Sequence, residues 1–177
     1  MIITGNSIGF SLDLVTRLLD DVSENTRVEA LEFRHVAVWE VKEALSDMQL
    51  LASGTMGRKG LYHAKIRPAP EYSLTREQWF QAADVLEQEL GYDDLPRVLV
   101  LHEQGDRAHL HAIWGRTDID TMTLRPDSFT YAKHERAARA LESAFGHEAV
   151  PSRREPDPDG QSGPDGRSDP DGREGAS

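Results

Sequence analysis

Apolar residues between positions 1 and 148 recur with two periods, one of three to four residues and one of two, which are typical of helices and of strands. The helical period occupies four stretches, at residues 12–19, 38–52, 76–90 and 130–145. Runs with the strand pattern lie at residues 28–33, 61–66, 97–103 and 108–115. Helices and strands therefore alternate along most of the chain, and the last two strands follow each other directly.

Residues with capping preferences sharpen the bounds of these helices. Ser11 is a suitable N-cap for the first helix, and Thr75 with Gln78 has the capping-box spacing before the third. Gly91 and Gly146 end the third and fourth helices. The apolar stripe of the second helix predicts four buried residues, namely Trp39, Leu45, Met48 and Ala52.

The last two strands are joined by residues 104–107, Gln-Gly-Asp-Arg. A Gly-Asp pair between two apolar runs indicates an antiparallel β-hairpin. The order of elements therefore predicts an α+β domain, in which helices flank a central and mainly antiparallel β-sheet, rather than a doubly wound parallel fold.

The composition changes after about Val150, where Pro-Asp-Gly recurs at positions 158, 164 and 170. A repeat without an apolar face cannot repay the entropy lost on ordering. We therefore expect one folded domain over residues 1–148 and a disordered tail, rich in Pro, Gly and Asp, over residues 149–177.

Charge and composition limit the classes of protein to which the chain can belong. The net charge of −11 opposes broad contact with nucleic-acid phosphates, so only local basic clusters could bind them. No apolar run reaches the roughly 18 residues of a membrane span, and residues 1–5 lack the features of a signal peptide. We expect a soluble, cytoplasmic protein without a membrane partner. Because the chain has no cysteine, any metal must be bound by nitrogen or oxygen donors.

Three of the seven histidines lie in the predicted hairpin. If Gly105 and Asp106 form a two-residue turn, His102 lies opposite His109. His111 lies two residues after His109, so its side chain points to the same face. Three imidazoles suit a divalent ion such as zinc, manganese or nickel, and they leave coordination positions open for a substrate. The spacing therefore predicts one metal site.

Residues 102–116, HEQGDRAHLHAIWGR, resemble the metal motif of relaxases, the mobilisation nucleases that nick plasmid DNA at a transfer origin. In that family one histidine of the first strand and a His-apolar-His of the second hold the metal. The similarity covers about residues 1–148, including segments 61–64, 74–79, 90–91 and 131–146. It implies the relaxase fold and a divalent metal cofactor, with magnesium, manganese and zinc as candidates, held by His102, His109 and His111.

The resemblance also implies a reaction, in which a tyrosine of the first helix attacks the scissile phosphate and becomes joined to the 5′ end. The metal would bind that phosphate as a Lewis acid. The matching stretch, residues 15–19, has Arg17 where the family has its tyrosine, and a guanidinium cannot attack phosphorus. Tyr131 could act instead only if the last helix brings it to the metal. We therefore expect nicking by transesterification to be reduced or lost.

The resemblance implies single-stranded or hairpin DNA as a partner, together with other mobilisation proteins. Local basic clusters predict the phosphate contacts, namely Arg58, Lys59, Lys65, Arg67 and Arg116 with Arg125. His63 is interpreted as a core or supporting residue rather than a ligand. Two other functions remain open: a hydrolytic phosphodiesterase that uses activated water, and a non-catalytic relaxase remnant that binds DNA or a relaxase partner.

Overall fold

A computed structural model describes residues 1–19 and 27–151 of the chain. The elements in chain order are β1 (Ile2–Ile8), α1 (Leu12–Leu19), β2 (Arg27–Arg34), α2 (Val41–Ala52), β3 (Leu61–Arg67), α3 (Arg76–Leu90), β4 (Arg97–Gln104), β5 (Arg107–Gly115), β6 (Thr117–Asp118), β7 (Thr123–Leu124) and α4 (Thr130–Phe145). The tail predicted at residues 149–177 lies outside the described residues except for its first three positions.

Five of these strands form one sheet in the order β1-β3-β5-β4-β2, and every neighbouring pair is antiparallel. Strands β6 and β7 form a separate small hairpin. The predicted α+β class, an antiparallel sheet flanked by helices, is confirmed.

Successive residues of a strand point to opposite faces of the sheet. Apolar side chains lie on both faces, and helices cover each of them. On one face, called here the α1/α2 face, Leu61, Val100 and Ile113 pack in one cluster with residues of α1 and α2. On the other, the α3/α4 face, Tyr62 and Trp114 pack in a second cluster with residues of α3 and α4. Each strand residue is thereby assigned to one of two separate environments.

The predicted helix ends are largely confirmed. The Leu14 N–H donates to the Ser11 hydroxyl over 3.1 Å at the start of α1. Thr75 and Gln78 form both hydrogen bonds of a capping box before α3. Gly91 has a left-handed backbone with φ 77°, which allows it to end α3 without a steric penalty.

The structure differs from the sequence prediction at α2 and at β1, and it adds the small β6–β7 hairpin. Helix α2 begins at Val41, because the extended residue Glu40 precedes it, so Trp39 lies outside the helix and is 78% exposed rather than buried. The sequence pattern also did not predict β1, which is short of apolar residues and pairs along its whole length with β3. A Cβ atom on Gly5 would lie 2.9 Å from the His63 carbonyl oxygen, so this close pairing requires glycine.

Among the residues that the structure describes, none of the helices is both long enough and apolar enough to cross a membrane.

A buried histidine contributes to the α3/α4 face. His134 of α4 is 5% exposed, and its Nε2 atom lies 2.9 Å from the Tyr62 hydroxyl oxygen. Burial lowers the pKa of His134 to about 4, because the charged imidazolium loses its hydration. His134 is therefore neutral at pH 7.

We predict that His134→Gln makes the protein less sensitive to acid. The pKa of His134 is lower in the folded than in the unfolded chain, so acid lowers the unfolding free energy between about pH 6.5 and pH 4. Between about pH 7.5 and pH 4.5 the variant should lose about 2 kcal/mol less stability than the parent protein. Urea unfolding with a metal chelator measures both losses, and equal losses would contradict the prediction.

Candidate metal centre

The β4–β5 hairpin has the register that the sequence predicted. Gly105 and Asp106 form its two-residue turn, and His102 is paired with His109. Of these two turn residues only Gly105 has positive φ, at 57°, which is the pattern of a type II′ turn with glycine in its first central position. The turn therefore fixes which histidines face each other.

The three hairpin histidines converge on the α1/α2 face and are called here the histidine cluster. One ring nitrogen from each of His102, His109 and His111 lies within 4.8 Å of the others. The Nε2 atoms of His109 and His111 are only 3.1 Å apart. His102 is completely buried and His111 is 7% exposed, while His109 is half-buried. The cluster is therefore largely desolvated, with its more open side at His109.

The orientation of His102 is fixed by helix α1. Its Nε2 atom lies 2.8 Å from the Leu18 carbonyl oxygen. A carbonyl can only accept, so Nε2 carries the proton and Nδ1 is the unprotonated nitrogen of the ring. His102 can therefore bind a metal through Nδ1.

The orientation of His111 is fixed by His63 of β3. The His63 Nε2 and His111 Nδ1 atoms are 2.7 Å apart. Burial, followed by the charge of Lys65 and Arg17, lowers the pKa of His63 to about 4. Burial and the neighbouring imidazoles also lower the pKa of His111 strongly. With both rings neutral, His111 can donate from Nδ1 to His63 and keep the Nε2 lone pair beside His109.

The donor set therefore fits a divalent ion. Metal-binding imidazoles characteristically use one nitrogen for the ion and donate a hydrogen bond from the other. His102 and His111 both have this arrangement, through the Leu18 carbonyl and His63 respectively. Three nitrogen donors on one face leave coordination positions free on the side away from the sheet.

A cavity of about 740 Å³, called here the site cavity, adjoins the cluster. Residues of β1, β3, β5 and α1 line it, among them Arg17, His63, Lys65 and His111. Lys65 is paired with His111 in the β3–β5 ladder. Arg17 is 2.9 Å from Asp13, but both side chains are more than two-thirds exposed, so this ion pair is weak. The cavity therefore combines an imidazole ligand with two cationic side chains.

Tyr131 is not brought to the histidine cluster. It belongs to α4, which packs against the α3/α4 face, and its side chain is 43% exposed there. Tyr62 and Tyr92 are buried in the core of that face, and Tyr72 follows β3. None of the four tyrosines of the chain lines the site cavity, whereas Arg17 does.

The predicted basic residues divide into two groups. Arg116 is 6% exposed and donates to the carbonyls of Lys59 and Arg125, while Arg125 binds Asp94 and Asp118. These two guanidinium groups already hold loops together, so a phosphate contact by Arg116 stays a prediction that would have to compete with these hydrogen bonds.

The other basic residues are more accessible. Arg58 and Lys59 are exposed in the loop before β3. Lys65 and Arg67 alternate with buried residues along β3, so both share the α1/α2 face with the histidine cluster. Lys65 and Arg67 therefore lie next to the candidate metal centre.

We predict that His63→Leu lowers metal affinity about 10- to 100-fold, because His111 loses the partner that orients its ring. His63→Gln offers a side-chain oxygen that reaches about as far as the His63 Nε2 atom, and it should recover much of the loss. Competition between the protein and a chelator for zinc measures the affinities. Equal loss in both variants, or no loss in either, would contradict an orienting role for His63.

Comparisons with known proteins agree with this geometry. The family model described as Relaxase: MobA/VirD2-like, nuclease domain matches residues 18–147, which is 130 of the 177 residues. The matched segment contains the whole histidine cluster and begins one residue after Arg17. A search of the curated proteins finds no match to the chain. The extent of the family match establishes that this chain belongs to the relaxase family, with a MobA/VirD2-like nuclease domain.

Proposed function

We propose that the chain binds single-stranded or hairpin DNA at the origin of a mobile element, with one phosphate held at a divalent metal in the histidine cluster. The observation that carries the proposal is the convergence of three imidazole nitrogens, two of them in orientations that neighbouring groups fix. When bound, the ion would neutralise charge on the non-bridging phosphate oxygens. Imidazole donors favour zinc, or manganese, over magnesium, which prefers oxygen ligands.

The charge around the cluster supports a phosphate ligand. Lys65 and Arg67 of β3 share its face, and Arg17 extends from α1 into the site cavity. These cations offset locally the net charge of −11. A phosphodiester would be attracted to this part of the surface, while the rest of the acidic molecule repels DNA.

The composition of the site cavity argues against nicking by a tyrosine of this chain. Arg17 lies on the helix that carries the nucleophile in the family, and none of the four tyrosines lines the cavity. The guanidinium of Arg17 can bind a phosphate oxygen but cannot attack phosphorus. We therefore propose a DNA-binding relaxase domain that forms no covalent tyrosyl adduct.

Hydrolysis is the second candidate function. Its support is that the cavity offers cations but no tyrosine, so water would be the nucleophile of any cleavage. The two candidates differ in their products. Hydrolysis releases a free 5′ phosphate, while the binding domain leaves the DNA intact. Manganese with a labelled single-stranded oligonucleotide pool distinguishes these outcomes on a denaturing gel.

We predict that His109→Ala abolishes stoichiometric metal binding, because it removes one of three nitrogen donors. The parent protein should contain about one divalent ion per chain after loading with zinc or manganese and removal of excess ion. Elemental analysis of both proteins makes the comparison. His147→Ala is the control, since His147 lies outside the cluster and stacks on Tyr72. An unchanged metal content in His109→Ala would refute the site.

We predict that Arg17→Tyr creates a metal-dependent protein–DNA adduct that survives denaturant, because it places a phenol where Arg17 now extends into the site cavity. The parent protein should form no adduct. Thr16→Tyr is the matched control, because Thr16 is exposed on α1 but does not line the cavity. Adduct in the parent protein, or none in Arg17→Tyr although its metal content is normal, would contradict the account of Arg17.

A further inference from the structure

A second cavity, called here the hairpin cavity, adjoins the histidine cluster at His109. Its volume is about 350 Å³, and the residues that line it include Arg67, Pro68, Pro70, Tyr72, Arg107 and His109. His109 belongs to the cluster, so the cavity begins at a candidate metal ligand. The site cavity lies beside His111 and the hairpin cavity beside His109, and the Nε2 atoms of these two rings are 3.1 Å apart.

Two arginines flank His109 on its own face of the sheet. The β3–β5 ladder pairs Ile66 with Leu110, so Arg67 is next in line to oppose His109. Arg107 precedes His109 by two residues on β5 and points to the same face. Within the described part of the chain, neither guanidinium takes part in a salt bridge. Both are exposed, and Asp106 is the one acidic residue among the described residues that line the cavity.

The opposite wall of the cavity is apolar and stiff. Pro68 and Pro70 follow β3, and Tyr72 lies two residues further on. The Tyr72 ring stacks on His147 with a centroid distance of 3.8 Å and an interplanar angle of 7°. Its hydroxyl accepts a hydrogen bond from the Glu148 N–H over 2.9 Å. One face of the ring is thus covered by His147, while Tyr72 still lines the cavity.

We propose that the hairpin cavity binds the nucleotide of single-stranded DNA adjacent to the phosphate held at the metal. Arg67 and Arg107 bind its phosphate, and the base lies against Tyr72 and the two prolines. Cationic side chains next to an aromatic surface are the usual means by which proteins bind single strands without reading the sequence. An intact duplex would not present a separated base to this wall. The inference rests on the proposed function and adds the position of a neighbouring nucleotide.

Arg67→Gln and Arg107→Gln test the phosphate contact. Binding of labelled oligo-thymidylate to the zinc-loaded protein is followed by fluorescence anisotropy over a series of salt concentrations. Each variant should lower the slope of log K against log salt by about 0.7, the value of one phosphate contact on a single strand. Arg136→Gln is the charge-matched control on α4, and it should retain the parent slope. Parent slopes in both cavity variants would overturn the phosphate contact.

Tyr72→Leu tests the base contact, with Tyr72→Phe as control, because Phe keeps the ring and removes only the hydroxyl. Tyr72→Leu should weaken binding of oligo-thymidylate about five-fold or more, which is the usual loss for one stacked base. It should leave binding of an abasic strand of equal length unchanged, and Tyr72→Phe should bind both strands as the parent does. Equal effects of Tyr72→Leu on both strands, or no effect on either, would overturn the base contact.

The same measurements separate this inference from the proposed function. If the parent protein binds oligo-thymidylate and His109→Ala does not, while all cavity variants match the parent, only the hairpin cavity is wrongly assigned. If the zinc-loaded parent protein does not bind the oligonucleotide, both proposals are wrong. The metal content of each variant of Arg67, Arg107 and Tyr72 is measured in parallel and should equal that of the parent, since these three residues are not ligands.

Discussion

The register of the β4–β5 hairpin is the constraint on which the candidate site depends. A strand alternates its side chains between two faces, so a shift of one residue would move His102 from the α1/α2 face into the α3/α4 core. The two-residue turn at Gly105 and Asp106 prevents that shift. It also leaves Leu101 and Leu110 on the opposite face, where both are buried among apolar residues. Core packing and site geometry thus require the same register.

Two elements outside the hairpin convert three nearby histidines into a directed donor set. Helix α1 supplies the Leu18 carbonyl to His102, and strand β3 supplies His63 to His111. Helix α1 also brings Arg17 to the site cavity. Helix α1 therefore both orients a candidate ligand, His102, and carries Arg17, at the position where the resemblance implies a tyrosine. The structure thus combines a donor set that fits a metal with a cationic side chain, that of Arg17, at the adjoining cavity.

Local signals account for what the sequence predicted well. The turn residues specified the hairpin and its register, and capping residues specified the start and end of α3. Contacts between distant segments account for what it missed. Strand β1 has a weak apolar pattern and is held by its ladder with β3, which no local pattern encodes.

The roles of side chains near the site likewise depend on contacts between distant segments, which the sequence alone does not reveal. His63 became a partner of His111 only because β3 and β5 are neighbours, and spacing within β3 could not reveal that contact. Arg116 is of a residue type that often binds phosphate. Its guanidinium, however, donates hydrogen bonds to backbone carbonyls of two loops. Trp39 fitted a helical stripe that begins only after Glu40. Where a residue type allows either a structural or a functional role, tertiary contacts decide between them.

X-ray absorption spectroscopy of the zinc-loaded protein would test the three-histidine site, because it identifies the ligands of the bound ion. We expect three imidazole ligands with Zn–N distances of about 2.0–2.1 Å, together with oxygen or nitrogen ligands that are not imidazole. A zinc shell made only of oxygen donors, or one with a single imidazole, would contradict this expectation.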